Sequence, residues 1–195
     1  VYPAAILALQ QNDRGLAEAH FKHLVTLNMQ DKSTPYFYLG QIAEEGKRNE
    51  DALAYYALVG PGERYMPAQM RRAHLLADMG QLDAARQQLS TAKAATPADK
   101  VQLVIAEAGL LREAKQPQAA FDLLEKALAA QPDDPDFLYE TALFAERLGR
   151  MDVLEANLRK LIVLRPDSAQ AYNALGYSLA DRNIRLPSRS ARALQ

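Results

Sequence analysis

The sequence contains no cysteine. Disulfides, thiolate metal sites and cysteine nucleophiles are therefore excluded, while both the cytosol and an oxidising envelope space stay open. It has no surplus of positive charge. Lys plus Arg total 23 against 24 for Asp plus Glu, so the net charge is -1, which argues against a nucleic-acid partner. No run of 18 apolar residues occurs, so no helical membrane span is expected. Valine, isoleucine and threonine are scarce, and alanine, leucine, glutamine, glutamate and arginine are abundant, a bias that favours helix over strand. The first residue is Val1 rather than Met. We therefore expect a removed leader or an excised piece of a longer chain, with any signal peptide or lipid anchor outside these residues.

Catalytic motifs are also missing. Gly60-Pro61-Gly62-Glu63-Arg64 lacks the Gly-Lys-Ser/Thr ending of a phosphate loop and reads as a connection between repeats. No Gly-x-Ser-x-Gly elbow occurs, and Ser178 falls inside a helical stretch. His20 and His23 share one helix, with Glu18 near in sequence, but no third or fourth zinc ligand is evident. Glu44-Glu45 and Asp133-Asp134 read as solvated acids, since neighbours on a helix point apart. We expect no enzyme activity, no cofactor and no metal.

What is present is a period. Small residues recur at Ala5, Gly40, Ala73, Ala108, Ala142 and Gly176, spaced 35, 33, 35, 34 and 34 apart. A second set follows in phase: Ala17 and Phe21, Ala52 and Tyr56, Ala85 and Leu89, Ala120 and Leu124. The fifth pair is Leu154 and Leu158, where the small residue is replaced. Two antiparallel helices nest only where a side chain is small, and the larger residue one turn on fills the adjoining groove. Glycines Gly46, Gly80 and Gly149 suit the left-handed exit of a first helix. Pro97, Pro132 and Pro166 are expected to stop second helices, and Asp99, Asp133, Asp134 and Asp167 to open the helices that follow.

The segments Tyr36-x-x-Leu39-Gly40-x-x-Ala43 with Ala52-x-x-x-Tyr56, and Tyr172-x-x-Leu175-Gly176-x-x-Leu179, resemble the tetratricopeptide signature. The resemblance implies an all-α, right-handed superhelical α-solenoid of helix-turn-helix repeats, occupying 1–195 as a single array. Repeats are expected near 1–32, 33–65, 66–100, 101–134, 135–168 and 169–195, the last incomplete, with its second helix opening near Leu186-Pro187. Neither end reads as a polar cap, so we expect a longer array or a self-associating surface.

In this family the first helices line a concave binding face. By resemblance the contact positions are Phe37, Gln41 and Glu44, then Met70, Arg71, His74 and Asp78. The next repeats contribute Ile105, Gly109, Arg112 and Glu113, then Tyr139, Leu143, Glu146 and Arg147, and finally Asn173, Tyr177 and Asp181. Some relatives clamp a terminal carboxylate with a cluster of Lys, Asn and Arg, and this sequence lacks the matching lysines. A helical or extended peptide segment fits the mixture of aromatic, Met, Arg and Glu residues better. Tyr36, Tyr56, Tyr65 and Tyr172 are expected to pack between helices. Arg182, Arg185, Arg189 and Arg192 recur at helical spacing and read as a solvated face, or as a basic stripe for an acidic partner or lipid headgroups.

A narrower resemblance rests on Tyr38-Leu39-Gly40-Gln41-Ile42-Ala43-Glu44, Met70-Arg71-Arg72-Ala73 and the stretch from Ala171 to Arg182. These are similar to long tetratricopeptide lipoproteins on the periplasmic side of the proteobacterial outer membrane, among which is an adaptor for a C-terminal processing protease. The resemblance implies a non-catalytic scaffold or adaptor, a periplasmic protease as partner, and membrane attachment only through an anchor outside this chain. The alternatives are a structural self-assembly module or a regulatory domain of a larger enzyme, and a cytoplasmic location.

Overall fold

The computed structural model describes the backbone of residues 1–190 and the side chains of residues 1–180. Among the described residues there are eleven α-helices and no strand. They are α1 Tyr2–Gln10, α2 Arg14–Thr26, α3 Ser33–Glu45, α4 Asn49–Ala57, α5 Tyr65–Asp78 and α6 Leu82–Thr91. Then follow α7 Pro97–Glu113, α8 Pro117–Ala130, α9 Pro135–Arg147, α10 Met151–Leu164 and α11 Ala169–Ser190. Contacts gather into two compact units, Val1–Leu103 and Val104–Gln195. In the first, each helix from α1 to α6 packs on the next; in the second, α8 to α11 do so. Packing only on chain neighbours is the mark of a repeat stack.

The in-phase small residues sit where helices meet. Ala5, Ala17, Ala52, Ala85, Ala108, Ala120 and Ala142 are all fully buried. The tightest approach is at Gly40, where a Cβ would lie 2.6 Å from Tyr56 Cδ1 and 2.9 Å from Cζ. Only glycine lets α3 and α4 close around that ring. In the first unit, Ala5, Ala17, Phe21, Leu24, Leu39 and Ile42 form one apolar cluster. Phe37, Ala52, Tyr56, Val59, Ala68 and Leu75 form the next. Gly176 departs from the pattern: it is exposed, and a Cβ there would meet nothing within 4 Å among the described residues.

The first helices α1, α3, α5, α7 and α9 end the same way. Asn12, Lys47, Gly80, Lys115 and Gly149 have φ of 59°, 57°, 77°, 59° and 71°. The following amide reaches back each time, as in Arg48 N to Ala43 O at 2.8 Å and Gln116 N to Leu111 O at 2.8 Å. This is a Schellman closure. Gly80 and Gly149 take the role expected of them. Gly46 does not: its φ is -78°, and Lys47 carries the left-handed turn instead.

Two further boundaries differ from expectation. Pro132 and Pro166 follow the ends of α8 and α10, but α6 ends at Thr91 and Pro97 opens α7. The fourth repeat's first helix thus begins before Val101. The cause is a reciprocal cap: Asp99 accepts from Thr96 N at 2.9 Å, and Thr96 Oγ1 accepts from Asp99 N at 3.1 Å. Asp134 caps α9 as its type suggests, accepting from Asp136 N and Phe137 N at 3.0 Å each. At the other boundary, α11 runs unbroken through Leu186-Pro187 rather than starting a new helix there. The side chains of Asp181 and of the Arg182, Arg185, Arg189 and Arg192 series lie outside the described residues.

Candidate functional site

In the first unit the nominated positions divide sharply. Phe37 is a correction: it is 4% exposed, packed 5.8 Å from the Tyr56 ring and covered by the Arg64 guanidinium at 5.3 Å. Its aromatic surface is spent inside, so it supports the surface rather than lining it. Glu44 is drawn into a polar junction. Its Oε2 accepts the Tyr56 hydroxyl at 2.6 Å and pairs with Arg71 Nη1 at 3.1 Å. Burial first, then the Glu44 carboxylate, pushes the Tyr56 phenol well above its usual range, so it stays a donor. Glu44, Tyr56 and Arg71 thereby join α3, α4 and α5.

Gln41 remains available. It lines a shallow cavity of about 250 Å³ with Leu9, Asn12, Tyr38 and Ile42, rimmed by the Arg14–Glu45 pair at 2.6 Å. Met70 is half-buried on α5, and His74 is exposed but engaged in an interaction within the protein.

The second unit keeps more of its nominated surface open. Ile105 on α7 and Tyr139 and Leu143 on α9 are half-buried, while Arg112, Glu146 and Asn173 are exposed. Tyr177 on α11 is 78% exposed. Tyr172, expected to pack between helices, is instead 50% exposed. Glu140 was not nominated, yet burial raises its carboxyl pKa, against the charges of Arg112 and Arg147. Its only sequence signal was its place one residue after Tyr139.

These groups offer contact chemistry: aromatic and aliphatic area beside charged and amide hydrogen-bonding groups. Among the described residues no group of three or more His, Asp or Glu could hold a metal ion. No helix among them is long and apolar enough to cross a membrane.

The family model described as tetratricopeptide repeat matches residues 2–62, 70–135 and 105–153. The TPR repeat-containing protein PA4667 of Pseudomonas aeruginosa is 39% identical over 150 residues, which is 77% of this chain and 25% of that protein. This chain thus spans a quarter of that relative's length. Among solved structures, MamA 41-end from Desulfovibrio magneticus RS-1 aligns with a TM-score of 0.51 and 20% identity. That alignment covers 80% of this chain and 88% of the other. The MamA RS-1 ArsTM double mutant aligns with a TM-score of 0.54 and 16% identity, over 86% and 94%. Such low identities speak to the fold alone. With the repeat phase, the paired helices and the family match in agreement, the chain belongs to the tetratricopeptide-repeat family.

Proposed function

We propose that this chain is a protein-binding scaffold that holds a partner on its first-helix surfaces and contributes no bond-breaking chemistry of its own. The observation that carries this reading is Tyr177, 78% exposed on α11, with Tyr139 and Leu143 still half-accessible on α9. Aromatic anchors left outside the packing are the residue types on which interface energy concentrates. As an adaptor it would act by raising the local concentration of the molecules it holds.

The finer reading is an envelope adaptor on the periplasmic side of the outer membrane, anchored from outside this chain, with a C-terminal processing protease as partner. Its support is the motif resemblance around Gly40, Ala73 and Gly176, together with identity to a proteobacterial repeat protein. The test is titration of a purified periplasmic C-terminal processing protease onto the immobilised chain. Saturable binding is expected. Tyr139→Ala combined with Tyr177→Ala should weaken it at least about tenfold, with unchanged helical circular dichroism. Equal affinity of the double variant would remove the first-helix surface from the account, and no binding would remove the protease.

A second reading, self-assembly, is favoured by exposed apolar area on successive helices: Val163 at the end of α10, 78% exposed, and the open tyrosines of α11. It calls for mass that rises with concentration in sedimentation experiments. A constant monomer dismisses it.

A further inference from the structure

In the second repeat, Tyr36, Gly40 and Ala43 of α3 pack against Ala52 and Tyr56 of α4. The same side of α9 carries Leu138, Ala142 and Ala145, all buried. In the same phase α11 carries Tyr172, Gly176 and Leu179. Here that side is open. Tyr172 is half-exposed, Leu179 is half-buried, and a Cβ on Gly176 would meet nothing within 4 Å among the described residues. The neighbouring side of α11 is closed: Ala171, Leu175 and Ser178 are buried where the helix packs on α10. Because α11 runs unbroken to Ser190, no second helix folds back onto its open side among the described residues.

We propose that the open side of α11 is a docking seat for one amphipathic helix of a partner protein, which pairs with α11 as α4 pairs with α3. The internal repeat specifies the chemistry of that helix. The Tyr56 ring fills the space over Gly40, and Gly176 leaves the same space free, so the incoming helix carries a small residue and an aromatic one turn later. Charge sets where the helix starts. Arg48, at the head of α4, pairs with Glu18 of the preceding second helix at 2.8 Å. Arg150, at the head of α10, donates to Gln118 of α8 at 3.3 Å and lies over the Phe121 ring. Asp152, exposed on α10, stands one repeat on from Gln118 and suits an arginine at the head of the incoming helix. A second copy of this chain is a poor source. Its α2, α4 and α10 are each packed between two first helices, and the outer side of α1, where Leu7 is exposed, again belongs to a first helix.

The probe is a synthetic peptide with the sequence Arg48–Val59, which holds the arginine, Ala52 and Tyr56 of α4. Glu50 and Ala54 are exposed on α4, so a covalent staple in their place keeps the peptide helical without touching the packing side. It is titrated into the isotope-labelled chain and followed by NMR. Saturable shifts are expected at Tyr172, Gly176, Leu179 and Asp152, and none at Tyr139 or Leu143 of the first-helix surface. The Tyr56→Ala peptide should bind about tenfold more weakly. Gly176→Ala in the chain should weaken the parent peptide about tenfold as well, although this variant should melt higher because alanine favours the helix. Asp152→Asn should remove the part of the affinity that salt screens. Undiminished binding to Gly176→Ala would overturn the proposal. So would the absence of saturable shifts on α11, or shifts confined to α3 and α5, which would mean exchange with the chain's own α4. Mass that rises with concentration in the parent and not in Gly176→Ala would put a second copy on the seat and overturn the partner helix.

Discussion

Gly40→Ala and Gly176→Ala change the same repeat position and should have opposite signs. At Gly40 the new methyl meets the Tyr56 ring, with Cδ1 at 2.6 Å, and the ring has little freedom to retreat. It is fully buried, it packs on Phe37, and its hydroxyl is held by Glu44 at 2.6 Å. Overpacking costs about 1–3 kcal/mol. Moving the ring also breaks a charge-assisted hydrogen bond worth about 1.5–3 kcal/mol. Against these stands a gain of about 1 kcal/mol from replacing glycine by alanine in a helix. The net is a loss of about 2–4 kcal/mol, or about 5–15 °C in Tm for a chain of this length. At Gly176 the methyl meets nothing within 4 Å among the described residues, so only the propensity gain of about 1 kcal/mol is expected. Urea and thermal unfolding read the sign. Hydrogen exchange of the α3 and α4 amides shows whether the damage is local, as a nearest-neighbour stack requires. A neutral or stabilising Gly40→Ala would refute the argument, because the helices would then be shown to separate at no cost.

The left-handed exits give a second sign pair: Lys47→Gly and Lys115→Gly should stabilise by about 0.5–1 kcal/mol, and Gly80→Ala should destabilise by about 1 kcal/mol, measured by urea midpoints. Asp134→Ala should cost about 1 kcal/mol by loss of the α9 cap, seen as faster exchange at Asp136 and Phe137. The Glu18 carboxyl is held below its usual 4.5 by Arg48, at 2.8 Å, and by Lys22, so its contribution to stability is present above that value and lost as pH falls through the depressed folded pKa. Arg48→Ala should return the Glu18 pKa toward 4.5 in an NMR titration and flatten that acid limb.

The parts legible in the sequence were those where packing admits one kind of residue. Gly40, Ala52 and Tyr56 could be read together because a close helix crossing needs a small residue and then fills the gap beside it. Exits were read only where glycine marks them. At Asn12, Lys47 and Lys115 the same backbone turn is imposed by the Schellman hydrogen bond on residues whose type does not announce it. That is why Gly46 was assigned a turn that belongs to its neighbour. Pro97 misled for a related reason. Proline suits both the stop of one helix and the first turn of the next, and the Thr96–Asp99 cap decided between them. The candidate site was less legible, since register places a residue on a first helix without saying what it touches there.

That ambiguity has a consequence for where a partner can bind. In the first unit, Phe37, Glu44 and Arg71 occupy nominated positions but are committed to the α3–α4–α5 junction. A partner seeking Glu44 must break an existing ion pair and a hydrogen bond before gaining its own, so little net affinity is left there. In the second unit, Tyr139, Leu143 and Tyr177 hold area that no interior contact has claimed. Equal register therefore does not mean equal capacity to bind. The first helices of the second unit are where truncation to alanine should register in affinity, while the same truncation at Glu44 or Phe37 should register in stability.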